Sequence, residues 1–355
     1  MQIRRVLSLT VAVLFAVSVL PLVAQKNDNK NQPKRSKTEQ QDVEALVRLV
    51  DAASAGQQPA TGDYTLMWES NHFVKGQDGI TYLPFTLTVD KALASKQVAF
   101  YVRVVSKGAA LAPAVAPDPK DKDKKNQPVA RPMYPWDNIA FTQVPEAGKM
   151  SRAIALKPGE YDAYITIKEK ATAEIKGDPS KAPAPKVAIL KKELSIPDFA
   201  SPDLKTSSVI VANNIEVLSA ALTPGQQEEN PYVFGPMKIV PSADMKFAKS
   251  GELNIVFWIY GAAEATGGKP DVTIEYSFHQ KLPEGEKYFN RTQPQALNAQ
   301  SLPPEFSVAA GHQLPGTLTI PLSSFPAGDY RLEIKVTDKT NSKSVVQNVA
   351  FTVAA

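Results

Sequence analysis

Acid–base or metal chemistry in this chain of 355 residues would have to use three histidines (His72, His279 and His312), 36 Asp and Glu, and no cysteine. The histidines are dispersed, so no two stand at the short spacing of a metal-ligand pair. His72 lies in Asn71-His72-Phe73 at a strand end, with Asp78 as a candidate partner in the same turn. His279 follows the alternating run Val272, Ile274, Tyr276, Phe278 on its outward face, and His312 falls in a loop. Asp118, Asp121 and Asp123 have the density of a calcium loop, but Lys120, Lys122, Lys124 and Lys125 are interleaved and neither the turn glycine nor the closing glutamate is present. Gly267-Gly268-Lys269 resembles the end of a phosphate loop, yet Ala263 occupies the first glycine position and Pro270 the hydroxyl position. The chain contains no Gly-x-Ser-x-Gly, His-Glu-x-x-His or Gly-x-Gly-x-x-Gly. We therefore expect no catalytic residues, no metal and no cofactor. A hydrolase using an unrecognised carboxylate pair stands as the third reading.

Aromatic residues are the other material for recognition. Tyr134 and Trp136 sit in Pro132-Met133-Tyr134-Pro135-Trp136-Asp137, a proline-stiffened segment. Two readings of them stand level: stacking on a sugar ring or peptide, or a plug over a sheet edge. Trp258 and Tyr260 alternate on the face opposite Leu253, Ile255, Phe257 and Ile259. A strand apolar on both faces is either covered, for which the long loops of this half are available, or a partner surface. Trp68 alternates with Leu66 and Tyr64 and reads as core.

The elements that must position these groups begin after an export signal. Arg4 and Arg5 precede the apolar stretch from Val6 to Leu20, and Leu22-Val23-Ala24 offers a cleavage site. Residues 1–24 thus read as a signal peptide too short to span a bilayer. Their removal takes away two bases and no acid, lowering the formal charge from +4 to +2. Such an even balance excludes a nucleic-acid-coating protein, which needs a basic patch. Residues 25–37 read as a disordered arm. Thr38 and Gln41 then have the capping-box form, and Val43, Leu46, Val47 and Val50 make one stripe of an amphipathic helix over 38–54. So short a helix must dock, and its own first domain is the expected surface.

From Tyr64 onward the apolar period becomes two. Gly159-Glu160-Tyr161 opens a strand with Tyr161, Ala163, Ile165 and Ile167 on one face, and Gly328-Asp329-Tyr330 opens a second with Tyr330, Leu332, Ile334 and Val336. Upstream, Val98 to Val104 and Leu253 to Ile259 alternate in the same manner, and pairing them makes the second copy 14 residues longer between the two strands. A Gly-acid-Tyr start has the form of a tyrosine corner, in which the phenol binds nearby backbone. Proline, 29 of 355 residues, exceeds the usual ~5% while glycine, 18, is below the usual ~7%. These patterns predict an all-β chain of two tandem immunoglobulin-like antiparallel sandwiches, at 62–198 and 206–355. The connector is Pro197-Asp198-Phe199-Ala200-Ser201-Pro202, stiff enough to restrict how the copies turn. Two Pro-rich insertions, 107–136 and 177–186, interrupt the first copy.

The second copy resembles the C-terminal sandwich module of exported proteins related to the GWxTD-domain family. The residues that carry this are Gly235-Pro236-Met237, Ile255-Val256-Phe257-Trp258-Ile259-Tyr260, and Pro326-Ala327-Gly328-Asp329-Tyr330-Arg331-Leu332 through Thr337-Asp338; the Gly-Trp-x-Thr-Asp motif itself is absent. With Ala45-Leu46-Val47-Arg48-Leu49-Val50-Asp51 and Ser70-Asn71-His72-Phe73, the whole chain is similar to uncharacterised exported proteins of acidobacterial type. The resemblance implies an immunoglobulin-like fold and a periplasmic or secreted location, and brings no catalytic residues. The expected function is non-enzymatic protein interaction or scaffolding in the cell envelope, at sheet edges or the Trp258/Tyr260 face. The alternative is carbohydrate binding through Tyr134 and Trp136. The expected partner is an envelope protein or glycan, with no nucleic acid and no membrane span after signal removal.

Overall fold

The computed structural model describes residues 35–57, 63–108, 133–174, 185–265 and 267–354. The signal peptide, the arm up to residue 34, the 118–125 charge run and most of both Pro-rich insertions lie outside the described residues.

The chain forms two compact units. Among the described residues, one comprises 35–71 and 79–198, the other 72–78 and 199–354. The first half supplies α1 (Lys37–Ser54), β1 (Leu66–Asn71), β2 (Val74–Lys75), β3 (Thr81–Val89), β4 (Gln97–Ser106), β5 (Trp136–Gln143), β6 (Lys149–Leu156), β7 (Gly159–Glu169) and β8 (Val187–Ile196). Of these, β2 belongs to the second unit. In the first unit β3 pairs with β1 and β6, and the facing sheet runs β5-β4-β7-β8, all antiparallel.

The second half supplies β9 (Lys205–Thr206), β10 (Ile210–Val217), α2 (Pro224–Glu229), β11 (Val233–Phe234), β12 (Met237–Pro241), β13 (Lys246–Ala248) and β14 (Glu252–Tyr260). It continues with β15 (Val272–Leu282), β16 (Gly285–Arg291), β17 (Gln295–Leu297), β18 (Leu314–Pro321), β19 (Gly328–Asp338) and β20 (Lys343–Ala354). One sheet runs β11-β12-β10-β14-β18 and the other β13-β20-β19-β15-β16. Setting aside the short added strands, both units carry one plan: three strands against four, in the order of an immunoglobulin-like sandwich.

That plan corrects one match made from alternation. β14 is the second strand of its sandwich, between β10 and β18, and its counterpart is β3, which lies between β1 and β6. The counterpart of β4 is β15. Ser106 of β4 faces Tyr161, and Gln280 of β15 faces Tyr330. The offset between copies is thus 174 residues on one strand and 169 on its neighbour, so the apparent 14-residue lengthening disappears. Alternation could not distinguish the two strands because both are central and apolar.

The duplicated Gly-acid-Tyr signature is structural in both copies. The Tyr161 hydroxyl donates to the Lys157 carbonyl at 3.0 Å, and that of Tyr330 to the Pro326 carbonyl at 2.8 Å. Gly159 and Gly328 enter their strands at φ +150° and +143°, a region that other residues avoid. A Cβ on Gly159 would also stand 3.3 Å from the Tyr161 ring.

Helix α1 docks on the first sandwich. Val43, Leu46, Val47 and Val50 pack against Ala99, Tyr101, Tyr164 and Val187, covering the outer face of the β4–β7–β8 sheet. Its N-cap is Ser36, with Glu39 as the reciprocal capping-box residue, rather than Thr38 with Gln41. Glu39 instead of Gln41 brings a carboxylate within 2.7 Å of Lys170. Further along, Asp42 pairs with Lys168 and Asp51 with Arg103, and the Ala171 N–H donates to Asp42 at 3.0 Å. The helix acids therefore meet sheet bases along its length. Asp42 and Lys168 are both buried, so each is the other's replacement for water.

Two stability measurements follow. Asp42→Ala leaves the Lys168 ammonium buried without its counter-charge and should cost about 3–5 kcal/mol, whereas Asp42→Leu combined with Lys168→Met should cost far less. Tyr161→Phe and Tyr330→Phe should each cost about 0.5–1.5 kcal/mol, the net worth of one hydrogen bond. Urea denaturation of these variants checks both.

Candidate functional site

Trp258 and Tyr260 are not a surface. On β14 the side chains of Leu253, Ile255, Phe257 and Ile259 enter the sandwich core, while Val256, Trp258 and Tyr260 lie in a second cluster on the outer face. There Trp258 is 1% and Tyr260 4% exposed. This corrects their candidacy as binding residues: the covered reading is the one the structure adopts. The cover comes from Tyr232 and Phe234 beside β12, from Phe199, and from Phe73 and Val74 of the 72–78 segment. The Phe234 ring centroid is 4.7 Å from that of Trp258, and Phe199 is 5.0 Å from Tyr260. Ser207 clips the same strand, its Oγ accepting from the Trp258 N–H at 2.9 Å and its own N–H donating to the Trp258 carbonyl at 2.8 Å.

The 72–78 segment is fixed to this face by polar bonds as well. Phe73 N–H donates to Ser208 Oγ and Ser208 N–H to the Phe73 carbonyl, both at 2.9 Å. The Lys75 N–H donates to the Tyr260 hydroxyl at 3.0 Å. Burial pushes the Tyr260 phenol far above its ordinary range, so it stays protonated. His72 finds its partner in Tyr232, with 3.0 Å between Nδ1 and the hydroxyl, rather than in Asp78. The two rings meet edge to face with centroids 5.5 Å apart. Burial lowers the His72 pKa to about 4. The folded protein therefore holds a neutral imidazole here.

Tyr134 and Trp136 do not form one platform. Tyr134 lies over the Arg103 guanidinium, 4.2 Å from ring centroid to Cζ, on the face that carries α1. Trp136 opens β5 directly opposite Val104, and Val104 points to the other face of the sheet. The two aromatics thus flank the start of an edge strand from opposite sides. Trp68 is half-buried, stacked on Phe85 at 4.5 Å, with its indole N–H donating to Asn71 at 3.0 Å.

The histidines occupy three separate settings. His279 meets Tyr288 edge to face at 5.9 Å, and His312 accepts from the Ser307 N–H at 3.2 Å. Among the described residues, no group of three or more His, Cys, Asp or Glu is placed to hold a metal ion. Asp42 and Asp338 are the buried carboxylates among the described residues. Asp338 accepts from the Ala263 and Thr340 N–H groups at 2.8 and 2.9 Å, so both acids are committed to the fold. The Gly267-Gly268 stretch is a turn between β14 and β15, with the Gly268 N–H donating to the Ala265 carbonyl.

One feature escaped the sequence reading. Among the described residues β5 pairs with β4 alone, through eight consecutive residues without a register shift. Its sequence, Trp136-Asp137-Asn138-Ile139-Ala140-Phe141-Thr142-Gln143, has one charge and no Lys, Arg, Pro or Gly. The other described edge strands carry the usual guards against pairing. β8 has Lys191, Lys192 and Glu193; β6 has Lys149 and Arg152; β18 has Pro315 and Pro321. β16 has Glu286, Lys287 and Arg291; β1 is broken by a register shift; β11 and β13 are two and three residues long. The signal was present in the residues, but alternation does not say which strand ends a sheet.

No protein-family model matches the chain, and no curated protein matches it either. Among solved structures, an immunoglobulin-like protein from Pseudomonas aeruginosa aligns over 41% of this chain and 96% of its own, at 12% identity and a TM-score of 0.20. Trypsin-activated alpha-2-macroglobulin from Escherichia coli aligns over 83% of this chain, at 8% identity and a TM-score of 0.23, and the match spans only 17% of the macroglobulin. Superpositions this loose carry no functional argument, and the immunoglobulin-like assignment stands on strand order within the chain itself.

The His72 setting makes stability pH-dependent. A folded pKa of about 4 lies below the ordinary 6.5, so the unfolded chain takes up the proton first. The contribution is complete above about pH 6.5 and is lost as pH falls toward about 4, by up to about 3 kcal/mol. Urea midpoints at pH 7 and pH 4.5 should differ in the wild type by clearly more than in His72→Phe.

Proposed function

We propose that the chain is a non-enzymatic interaction or scaffolding protein of the cell envelope that works by strand addition at an open sheet edge. The observation that carries this is β5, a regular edge of eight residues with one charge and none of the guards that every other described edge possesses. Main-chain bonding along such an edge supplies affinity, and Trp136, Ile139 and Phe141, each half-buried, offer apolar surface on its two sides. The export signal read in residues 1–24 and the all-β build both suit a periplasmic or secreted location. Glycan binding loses its support because Tyr134 and Trp136 lie on opposite faces.

The test is capture from the protein's own envelope. Tagged mature chain is crosslinked mildly, purified and compared with Asn138→Lys, which places on β5 the kind of charge that guards β6, β8 and β16. A stoichiometric protein, or the chain itself, should be captured by the wild type and by Lys287→Glu on β16, and at least tenfold less by Asn138→Lys. Equal capture by a folded Asn138→Lys protein, judged by its thermal transition, overturns the reading.

A further inference from the structure

The strand that β5 would accept can be deduced from its own residues. When two copies join edge to edge about a two-fold axis, the sheet continues with its faces preserved. Residues of the same parity must then meet, because side chains alternate between faces. With the axis at Ile139, Trp136 meets Thr142 of the other copy, Asp137 meets Phe141, Asn138 meets Ala140, and Ile139 meets its twin. With the axis at Ala140, Asp137 meets Gln143, Asn138 meets Thr142, and Ile139 meets Phe141. In both registers the one charge avoids its own image, so no like-charge pair forms. On the α1 side the axis at Ala140 sets Ile139 against Phe141 and the axis at Ile139 sets Ile139 against its twin, and both residues pack at the margin of the α1 cluster on an edge that leaves them partly exposed. A heterologous strand would need a sequence matched to this edge, whereas the edge already matches itself.

We propose that β5 pairs antiparallel with β5 of a second copy, joining two β5-β4-β7-β8 sheets into one across a two-fold axis at Ile139 or Ala140. This rests on the strand-addition reading and narrows it to a homodimer.

The absence of cysteine gives a direct test. Ile139→Cys, Ala140→Cys and, as a control on another exposed edge, Lys287→Cys are prepared one at a time in the full mature chain and oxidised gently. Self-association of the cysteine-free wild type is measured alongside by sedimentation over a wide dilution series. The expected result is a wild-type dimer, a disulfide-linked dimer from the 139 or 140 variant at least tenfold faster than from the 287 variant, and monomer for Asn138→Lys. A wild type that remains monomeric at every concentration overturns the inference; the envelope capture, with the same Asn138→Lys comparison, then stands or falls separately. A dimer that crosslinks through residue 287 and not through 139 or 140 overturns it as well. If Asn138→Lys fails to fold, the cysteine rates alone decide, since a cysteine at these two positions adds no charge and leaves the strand regular.

Discussion

A sheet has two faces and a sandwich core covers only one of them. In this chain a sheet in each copy is apolar on both, and most of the remaining architecture answers that constraint. In the first copy the outward residues of β4, β7 and β8 include Ala99, Tyr101, Tyr164 and Val187, and α1 lies across them. In the second the outward residues of β14 are Val256, Trp258 and Tyr260, and three separate pieces of chain close over them. Where the second copy leaves its β19 face open, the outward residues are Arg331, Glu333, Lys335 and Thr337, and Arg331 is held by Glu286 and Glu333. The copies thus share a strand plan and differ in which sheet wears a cover.

Covering an apolar face with a helix poses a polar problem as well. Lys168 and Arg103 sit among apolar neighbours and cannot remain there as isolated ions. Placing Asp42 and Asp51 on the helix resolves this and also fixes the position of α1 along the sheet. A slide by one turn would take Asp42 away from Lys168 and leave Arg103 with only Asp137 of β5 beside it. The apolar stripe holds the helix down, and the acids determine where along the sheet it sits. How much net stability the pairs add is a separate matter, since a well-packed apolar replacement is often as stable as a buried ion pair.

Much of the fold was legible in the residues, for identifiable reasons. Period-two runs located the strands, the 3.6-period stripe located α1, and Gly-acid-Tyr located the same corner in both copies because its geometry needs those residue types. What failed were questions of partnership. For His72 the nearby Asp78 was a candidate partner, but its partner Tyr232 is 160 residues away. Val98 to Val104 was matched to the wrong strand because a central strand looks the same whichever neighbours it has. For Tyr134 and Trp136, two residues apart, stacking and plugging stood level because spacing does not show that the strand begins between them and separates their faces. Trp258 and Tyr260 were correctly seen as unusual, but sequence cannot show what closes over a face. Local pattern reports what a residue needs and leaves open who supplies it.

The 72–78 segment bears on whether the chain can be divided. By sequence it lies between β1 and β3 of the first copy, yet it is counted with the second unit and covers Trp258 and Tyr260 there. No one cut therefore separates this polypeptide into its two units. A fragment from residue 199 onward would lack part of the lining of its own outer cluster, and a fragment ending at 198 would carry seven residues whose partners were gone. The second sandwich is therefore not a free-standing module: its outer cluster is complete only when residues 72–78 are made in the same chain.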